Sequence, residues 1–166
     1  DFLHARTPEE ARVFFGMATA GDWVSPQYEL LGLEVEIDTN RDGIAEYILL
    51  NSSAGNLNGQ GFDADLSNDA LMTLVMDTSV PPNFFSAGGI LNVLDPNFRD
   101  TAPYHNRVAV LSAPLQALGL NASQTRFQYR VTTTGLHEIV STETPWIDFD
   151  VAHPLVDGTG HGLQGT

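Results

Sequence analysis

The chain has 166 residues, 42% hydrophobic and 17% charged, with a formal net charge of −14, no cysteine, and seven basic residues that are all arginine. The length suits one domain with short tails and the apolar fraction suffices for a packed core. The charge argues against binding a nucleic acid backbone or docking on an anionic membrane through a basic patch, and the missing thiols exclude disulfides, thiolate metal sites and a cysteine nucleophile.

Asp1 is an unusual natural start and no signal peptide opens the chain, so it reads as a segment of a longer polypeptide. Residues 1–11 form a lead-in. Thr7-Pro8-Glu9-Glu10 carries a helix-start signature, a capping Thr followed by Pro and then Glu three positions after the cap, which predicts at most one helical turn. Arg12–Ala18 follows as a strand. Leu31, Leu33, Val35 and Ile37 then alternate with Gly32, Glu34 and Glu36, the period of a half-buried strand. Glu46–Asn51 is its expected hairpin partner. Apolar runs such as Ile48-Leu49-Leu50 fall far short of the roughly 20 residues a membrane helix needs, so no membrane insertion is expected.

Segment Asn51–Asn68, rich in Asn, Gly, Ser and Asp, is predicted as a long loop. Leu71–Asp77 is a strand, Val80–Gly89 a second loop bearing Phe84 and Phe85, and Gly89–Leu94 another strand. Arg107–Leu111 and Arg126–Thr133 are further strands. Between them Ala113–Gly119 reads as a single helical turn closed by Gly119. Trp146–Val151 is the last strand, with Trp146, Asp148 and Asp150 on one face and Ile147, Phe149 and Val151 on the other. The tail at 157–166 is Gly-rich with almost nothing to bury. Short strands punctuated by turn residues predict an all-β fold: a jelly-roll-like β-sandwich of about eight strands over residues 12–156, with one hairpin loop for calcium and one short helical crossover.

Asp38-Thr39-Asn40-Arg41-Asp42-Gly43-Ile44-Ala45-Glu46 is the strongest local motif. Oxygen-bearing side chains at positions 1, 3 and 5, with Gly at 6, form the front half of a calcium-loop pattern, in which alternate residues of a tight turn point at one centre. Gly43 suits the positive φ such a turn needs. The Ile44 carbonyl stands at position 7 and Glu46 at position 9, where it binds directly or through water. Hard oxygen donors of this kind suit Ca²⁺. Position 12 is Leu49, not the bidentate Glu of an EF-hand, and the flanks are strands. The same residue types also favour a metal-free Asx/Gly turn; the spacing, the Gly and the downstream Glu together favour the metal. Asp63, Asp65 and Asp69 form a second acidic group that would complete this site, make another, or remain a solvated loop.

No Gly-x-Ser-x-Gly, His-Glu-x-x-His or phosphate loop is present, and the five histidines stand singly, so no enzyme activity is expected. Trp23 and Trp146 are candidate platforms for stacking a sugar, which keeps a polysaccharide partner open, although such residues are more often part of a core or edge. Asn51-Ser52-Ser53 and Asn121-Ala122-Ser123 are glycosylation sequons.

Several stretches in order carry a family resemblance. They are Phe15-Gly16-Met17-Ala18-Thr19-Ala20-Gly21-Asp22-Trp23, Val35–Gly43 with Glu46-Tyr47, Asn106-Arg107-Val108, Leu118-Gly119-Leu120, Thr125–Tyr129 and Thr144-Pro145-Trp146-Ile147-Asp148-Phe149-Asp150. From Phe15 to His153 the chain resembles a non-catalytic β-sandwich domain found towards the C-terminal side of secreted bacterial subtilisin-like serine proteases. The resemblance implies secretion, an accessory role beside a protease domain of the parent protein, and calcium-dependent stability. A separate expectation is a cell-surface subunit of an extracellular filament or surface layer, whose short strands and Gly-rich tail would add to the sheet edge of neighbouring subunits. The family's metal positions fall on Asp38, Asn40, Asp42 and Glu46; no catalytic residue carries over.

Overall fold

A computed structural model describes residues 11–23, 31–54, 71–79, 84–92, 106–135 and 138–153. The described chain is all-β. Its strands are β1 (Arg12–Trp23), β2 (Leu31–Asp38), β3 (Tyr47–Ser53), β4 (Leu71–Asp77), β5 (Phe84–Ile90), β6 (Asn106–Pro114), β7 (Arg126–Gly135), β8 (Glu138–Glu143) and β9 (Ile147–Asp150). β1 and β6 make a two-stranded ribbon. The others make a seven-stranded sheet in the order β5-β4-β3-β2-β7-β8, with β9 also on β7. Every pairing is antiparallel.

The alternation in β2 sets the sheet's two faces. Leu33, Val35 and Ile37 are fully buried while Glu34 and Glu36 face the other way, half-exposed. Burying each such aliphatic side chain stabilises the fold by about 1.5–3 kcal/mol. The inward face meets Val13 and Phe15 of β1 and Ala109, Leu111 and Ala113 of β6 in one shared core. Aromatic rings close its β7–β9 end: Phe15 lies 5.2 Å from Tyr129 and Phe127 lies 5.4 Å from Phe149, all tilted. After β6 the chain turns through the 3-10 helix Leu115–Leu118. Gly119 ends it at φ +65°, its N–H bonding the Gln116 carbonyl at 3.1 Å while the Leu120 N–H bonds Leu115 at 3.0 Å. That is a Schellman closure, in the place where the sequence put a helical turn stopped by Gly119.

Three stretches differ from expectation. Phe84–Gly89 belongs to β5, not to a loop, because it pairs with β4 from Asp77↔Phe84 to Met72↔Ile90. Residues 91–92 form a turn where a strand was expected. The two glycines of β5 have a packing reason: a Cβ on Gly88 would stand 2.5 Å from the Ser112 carbonyl oxygen, so only glycine lets the ribbon approach. Asn92, at φ +62°, then docks on the edge of β6, with its N–H on the Val110 carbonyl and its Oδ1 accepting the Val110 N–H at 2.6 Å. The second difference is at Ser52 and Ser53, expected in a loop but buried in β3 beyond its expected end at Asn51. β2–β3 pairing stops at Glu34↔Leu50. Beyond it the Asn51 side chain replaces the ladder, accepting the Leu33 N–H at 2.8 Å and donating to the Leu31 carbonyl at 2.9 Å. The third is β8, which runs end to end with β9 along the outer edge of β7, the break between them falling at 144–146. The helix-start signature at Thr7–Glu10, the acidic group Asp63, Asp65 and Asp69, and the tail from Asp157 lie outside the described residues.

Asn51 provides a direct test of this strand divergence. Replacing it by Ala leaves the buried Leu33 N–H and the part-buried Leu31 carbonyl unpaired, the first costing about 1–3 kcal/mol. Urea unfolding of Asn51→Ala is expected to show a lowered midpoint with an unchanged slope. Because its amide is committed to β2, Asn51 does not accept a glycan in the folded protein, whereas Asn121 is exposed.

Candidate metal centre

β2 delivers Asp38 to the end of the sheet, fully buried, and Tyr47 opens β3 opposite Ile37. The intervening loop folds around the Asp38 carboxylate. Its Oδ1 accepts the Arg41 N–H and its Oδ2 accepts the Gly43 N–H at 2.7 Å. Two left-handed residues make this possible, Arg41 at φ +66° and Gly43 at φ +88°. The first costs on the order of 1 kcal/mol for a side chain with a Cβ, less than leaving a buried carboxylate without donors.

Glu46 returns into the same loop. Its Oε2 accepts the Thr39 N–H at 2.7 Å and the Thr39 hydroxyl at 2.9 Å. Asn40 lies between the remaining groups: its Nδ2 donates to Glu46 Oε1 at 2.7 Å and to Asp42 Oδ2 at 3.1 Å, while its Oδ1 accepts the Asp42 N–H at 2.8 Å. Carboxylate oxygens of Asp38, Asp42 and Glu46 lie within 4.8 Å of one another, a group that could hold a metal ion. Asp38 is buried, Glu46 half-buried and Asp42 exposed, so the group opens to solvent on the Asp42 side. The structure thus gathers Asp38, Asn40, Asp42 and Glu46. Ile44 sits in the same loop, donating its N–H to Asp42 Oδ1 at 2.9 Å with its side chain 70% exposed.

The loop is fastened to its surroundings by residues the motif does not mark. Thr78 Oγ1 donates to the Ala45 carbonyl at 2.6 Å, and Gln124 Nε2 to the Thr39 carbonyl at 3.1 Å. Arg41 reaches β9, pairing with Asp148 at 2.7 Å. Only the three-dimensional sheet order places Gln124 and Asp148 beside the loop, so their spacing in the chain gives no signal.

Arg41 and Asp148, with Arg126, Phe149, Asp150 and His153, line an open cavity of about 340 Å³. Asp150 is a hub within it, bonded to Arg126 at 2.9 Å and to the His153 ring at 3.2 Å. The hydrogen bond from Arg126, and after it that from Thr125, holds the Asp150 carboxyl well below its ordinary value of 3.8. On the same outer face Arg130 bonds Glu36 at 2.7 Å and Glu143 at 3.3 Å, and it lies 4.8 Å over the Trp146 ring. Trp146, expected to open the last strand, lies just before β9 in the break at 144–146 and is half-buried. Trp23 ends β1, and its side chain lies outside the described set. Burial and the charge of Glu36 raise the Glu34 carboxyl above its ordinary value.

Among the described residues no helix is long and apolar enough to cross a membrane. No family model, curated protein or solved structure matches the chain.

The depressed Asp150 carboxyl has a defined pH signature. Its contribution to stability is present above pH 3.8 and is lost as pH falls from there through the lowered folded value. Carbon-detected NMR titration of Arg126→Gln is expected to move the Asp150 midpoint up towards 3.8, and the acid limb of the melting curve should move to higher pH with it.

Proposed function

We propose that this chain is a non-catalytic, calcium-stabilised β module of a larger secreted protein, with a structural or docking role beside other domains such as a subtilisin-like protease. The observation that carries the calcium reading is the meeting of Asp38, Asp42 and Glu46 oxygens within 4.8 Å. Ca²⁺ takes about six to eight oxygen ligands in flexible geometry, which suits an irregular loop better than the strict octahedron of Mg²⁺.

The donor chemistry suits the same ion. A carboxylate oxygen that accepts a single hydrogen bond, such as Glu46 Oε1 or Asp38 Oδ2, keeps lone-pair capacity for a cation. Asn40 presents its NH₂ to two carboxylates; turned over, the same amide offers its carbonyl oxygen to a cation among them. The Ile44 carbonyl supplies a further ligand at position 7. Bound calcium would remove the mutual repulsion of three neighbouring carboxylates. It would also stiffen a loop that is tied to β9 through Arg41 and to the 121–124 turn through Gln124. Secretion and the parent protein rest on the sequence resemblance. A polysaccharide role draws less support, because Arg130 already covers one face of Trp146.

Thermal melts test the reading. A ligand at a hundred times its Kd adds about 2.7 kcal/mol, and in a chain of this size each kcal/mol moves Tm by about 2–4 °C. Removing calcium with EDTA should therefore lower Tm by about 5–11 °C at that saturation. Asp42→Asn keeps the exposed turn but drops a ligand charge, and should lose most of the shift while melting like metal-free wild type. Superimposable wild-type melts with calcium and with EDTA would overturn the proposal.

A further inference from the structure

We infer that the two sequons of this chain have opposite fates in an N-glycosylating secretory pathway: Asn121 accepts a glycan in the folded domain, whereas a glycan on Asn51 and the fold exclude each other. Asn51-Ser52-Ser53 and Asn121-Ala122-Ser123 are the chain's only Asn-x-Ser/Thr sequences. The modification joins Asn Nδ2 to C1 of a sugar carried on a lipid pyrophosphate. The C1–O bond to the pyrophosphate breaks, the amide gives up one proton, and the lipid pyrophosphate leaves. The product is bulky and solvated, so it needs an open route from the side chain to water.

Asn51 has no such route. It is 3% exposed, with Ser52 at 2% and Ser53 at 0%. Its Nδ2, the atom to be modified, donates to the Leu31 carbonyl at 2.9 Å, and its Oδ1 accepts the Leu33 N–H at 2.8 Å. A glycosylated amide keeps one N–H, so the hydrogen bond alone does not forbid the sugar; the packing does. Asn51 stands opposite Thr73 of β4, itself fully buried, whose Oγ1 accepts the Ser112 N–H of the ribbon. Beside Thr73, a Cβ added to Gly88 would stand 2.9 Å from the Thr73 Cβ and 2.5 Å from the Ser112 carbonyl oxygen. A close-packed seam with no room for a methyl has none for a pyranose. A transferring enzyme therefore reaches Asn51 only in the unfolded chain, and the sugar it leaves there keeps the seam from closing.

Asn121 has the opposite setting. Residues 121–124 are all exposed and form a tight turn. The Asn121 N–H bonds the Gln124 carbonyl at 3.3 Å, and the Gln124 N–H bonds the Asn121 carbonyl at 3.0 Å. The Asn121 side chain shapes the turn through its oxygen, which accepts the Ser123 N–H at 2.9 Å and the Ser123 hydroxyl at 2.5 Å. Its Nδ2 has no hydrogen-bond partner among the described residues. A sugar on that nitrogen breaks none of these bonds and displaces no buried group. The tie from this turn to the Thr39 carbonyl belongs to Gln124 and stays in place. The same local pattern thus has two outcomes, decided by where the fold puts the amide nitrogen.

The test is secretion of the full chain, behind a signal peptide, from a host that N-glycosylates, with the occupancy of each sequon read by mass spectrometry. In this lysine-free chain trypsin cuts only after arginine, which places Asn51 and Asn121 on separate peptides, 42–99 and 108–126. Secreted, protease-resistant chain is expected to carry a glycan on Asn121 and about tenfold less, or none, on Asn51. Any chain modified at Asn51 should stay in the protease-sensitive intracellular fraction, where unfolded molecules are retained and degraded. Enzymatic removal of the Asn121 glycan should leave the fold intact, read as unchanged protease resistance. Secreted, protease-resistant chain bearing a glycan on Asn51 would overturn the proposal, and so would folded chain left bare at Asn121.

Discussion

A carboxylate buried at the end of a central strand needs donors, and the loop from Thr39 to Glu46 is shaped by supplying them to Asp38. Its two oxygens take the N–H groups of Arg41 and Gly43, which requires both residues to turn left-handed. That turn projects Asn40 and Asp42 beside Glu46 and sends the Arg41 side chain towards Asp148. The acidic group, the hairpin geometry and the tie to β9 thus share one cause. Without Asp38 the loop would lose its reason to pass through Arg41 at positive φ.

The same economy of polar groups recurs where strands part, within the sheet and between the sheet and the ribbon. Asn51 substitutes for a strand between β2 and β3, and Asn92 for a strand beside β6. In each case an amide side chain supplies a donor and an acceptor where the backbone ladder has parted, so strands diverge without orphaning buried groups. Thr73 Oγ1 does likewise, accepting the Ser112 N–H at 3.1 Å across the two layers. Gly88 and Gly89 complete this seam by omitting side chains where β5 meets β6. The seam combines polar residues with a backbone approach that admits no Cβ, and these requirements recruit Asn, Ser, Thr and Gly.

That composition explains which parts of the fold were legible in the sequence. β2 and β4 were, because alternating or continuous apolar residues bounded by turns leave little choice; Leu71–Asp77 has the predicted bounds. The Schellman turn at Gly119 and the loop at Asp38–Glu46 were legible because their residue spacing encodes local geometry. Ser52–Ser53 and Phe84–Gly89 were not. Gly88 and Gly89 there serve the close approach of β5 to β6, and Ser52 and Ser53 extend the β3–β4 pairing, long-range requirements of residues that locally look like loop. β8 escaped notice for a related reason: a broken edge strand looks like two short fragments, and only its pairing with Thr132–Gly135 makes it a strand. Gln124 and Asp148 beside the loop were invisible because nothing in their own segments refers to residue 40.

The absence of lysine fits the use made of each described arginine. Arg130 bonds Glu36 through two nitrogens, reaches Glu143 with a third and still lies over Trp146. A planar fork can do these things together, and a single ammonium cannot. Arg12 bonds both the Gly88 carbonyl and Ser112 at the seam. Arg41, Arg107 and Arg126 each join two strands or a loop and a strand through a carboxylate. Exposed pairs of this type add little stability singly. Their effect is to fix where carboxylates point on a strongly acidic surface. Among the described residues only Arg12 and Arg130 order more than one acceptor, and both sit where strands distant in the chain meet. Among the described residues no guanidinium bonds the carboxylates of Asp38, Asp42 or Glu46; the loop leaves that corner to Asn40, an uncharged donor that also has an acceptor to offer.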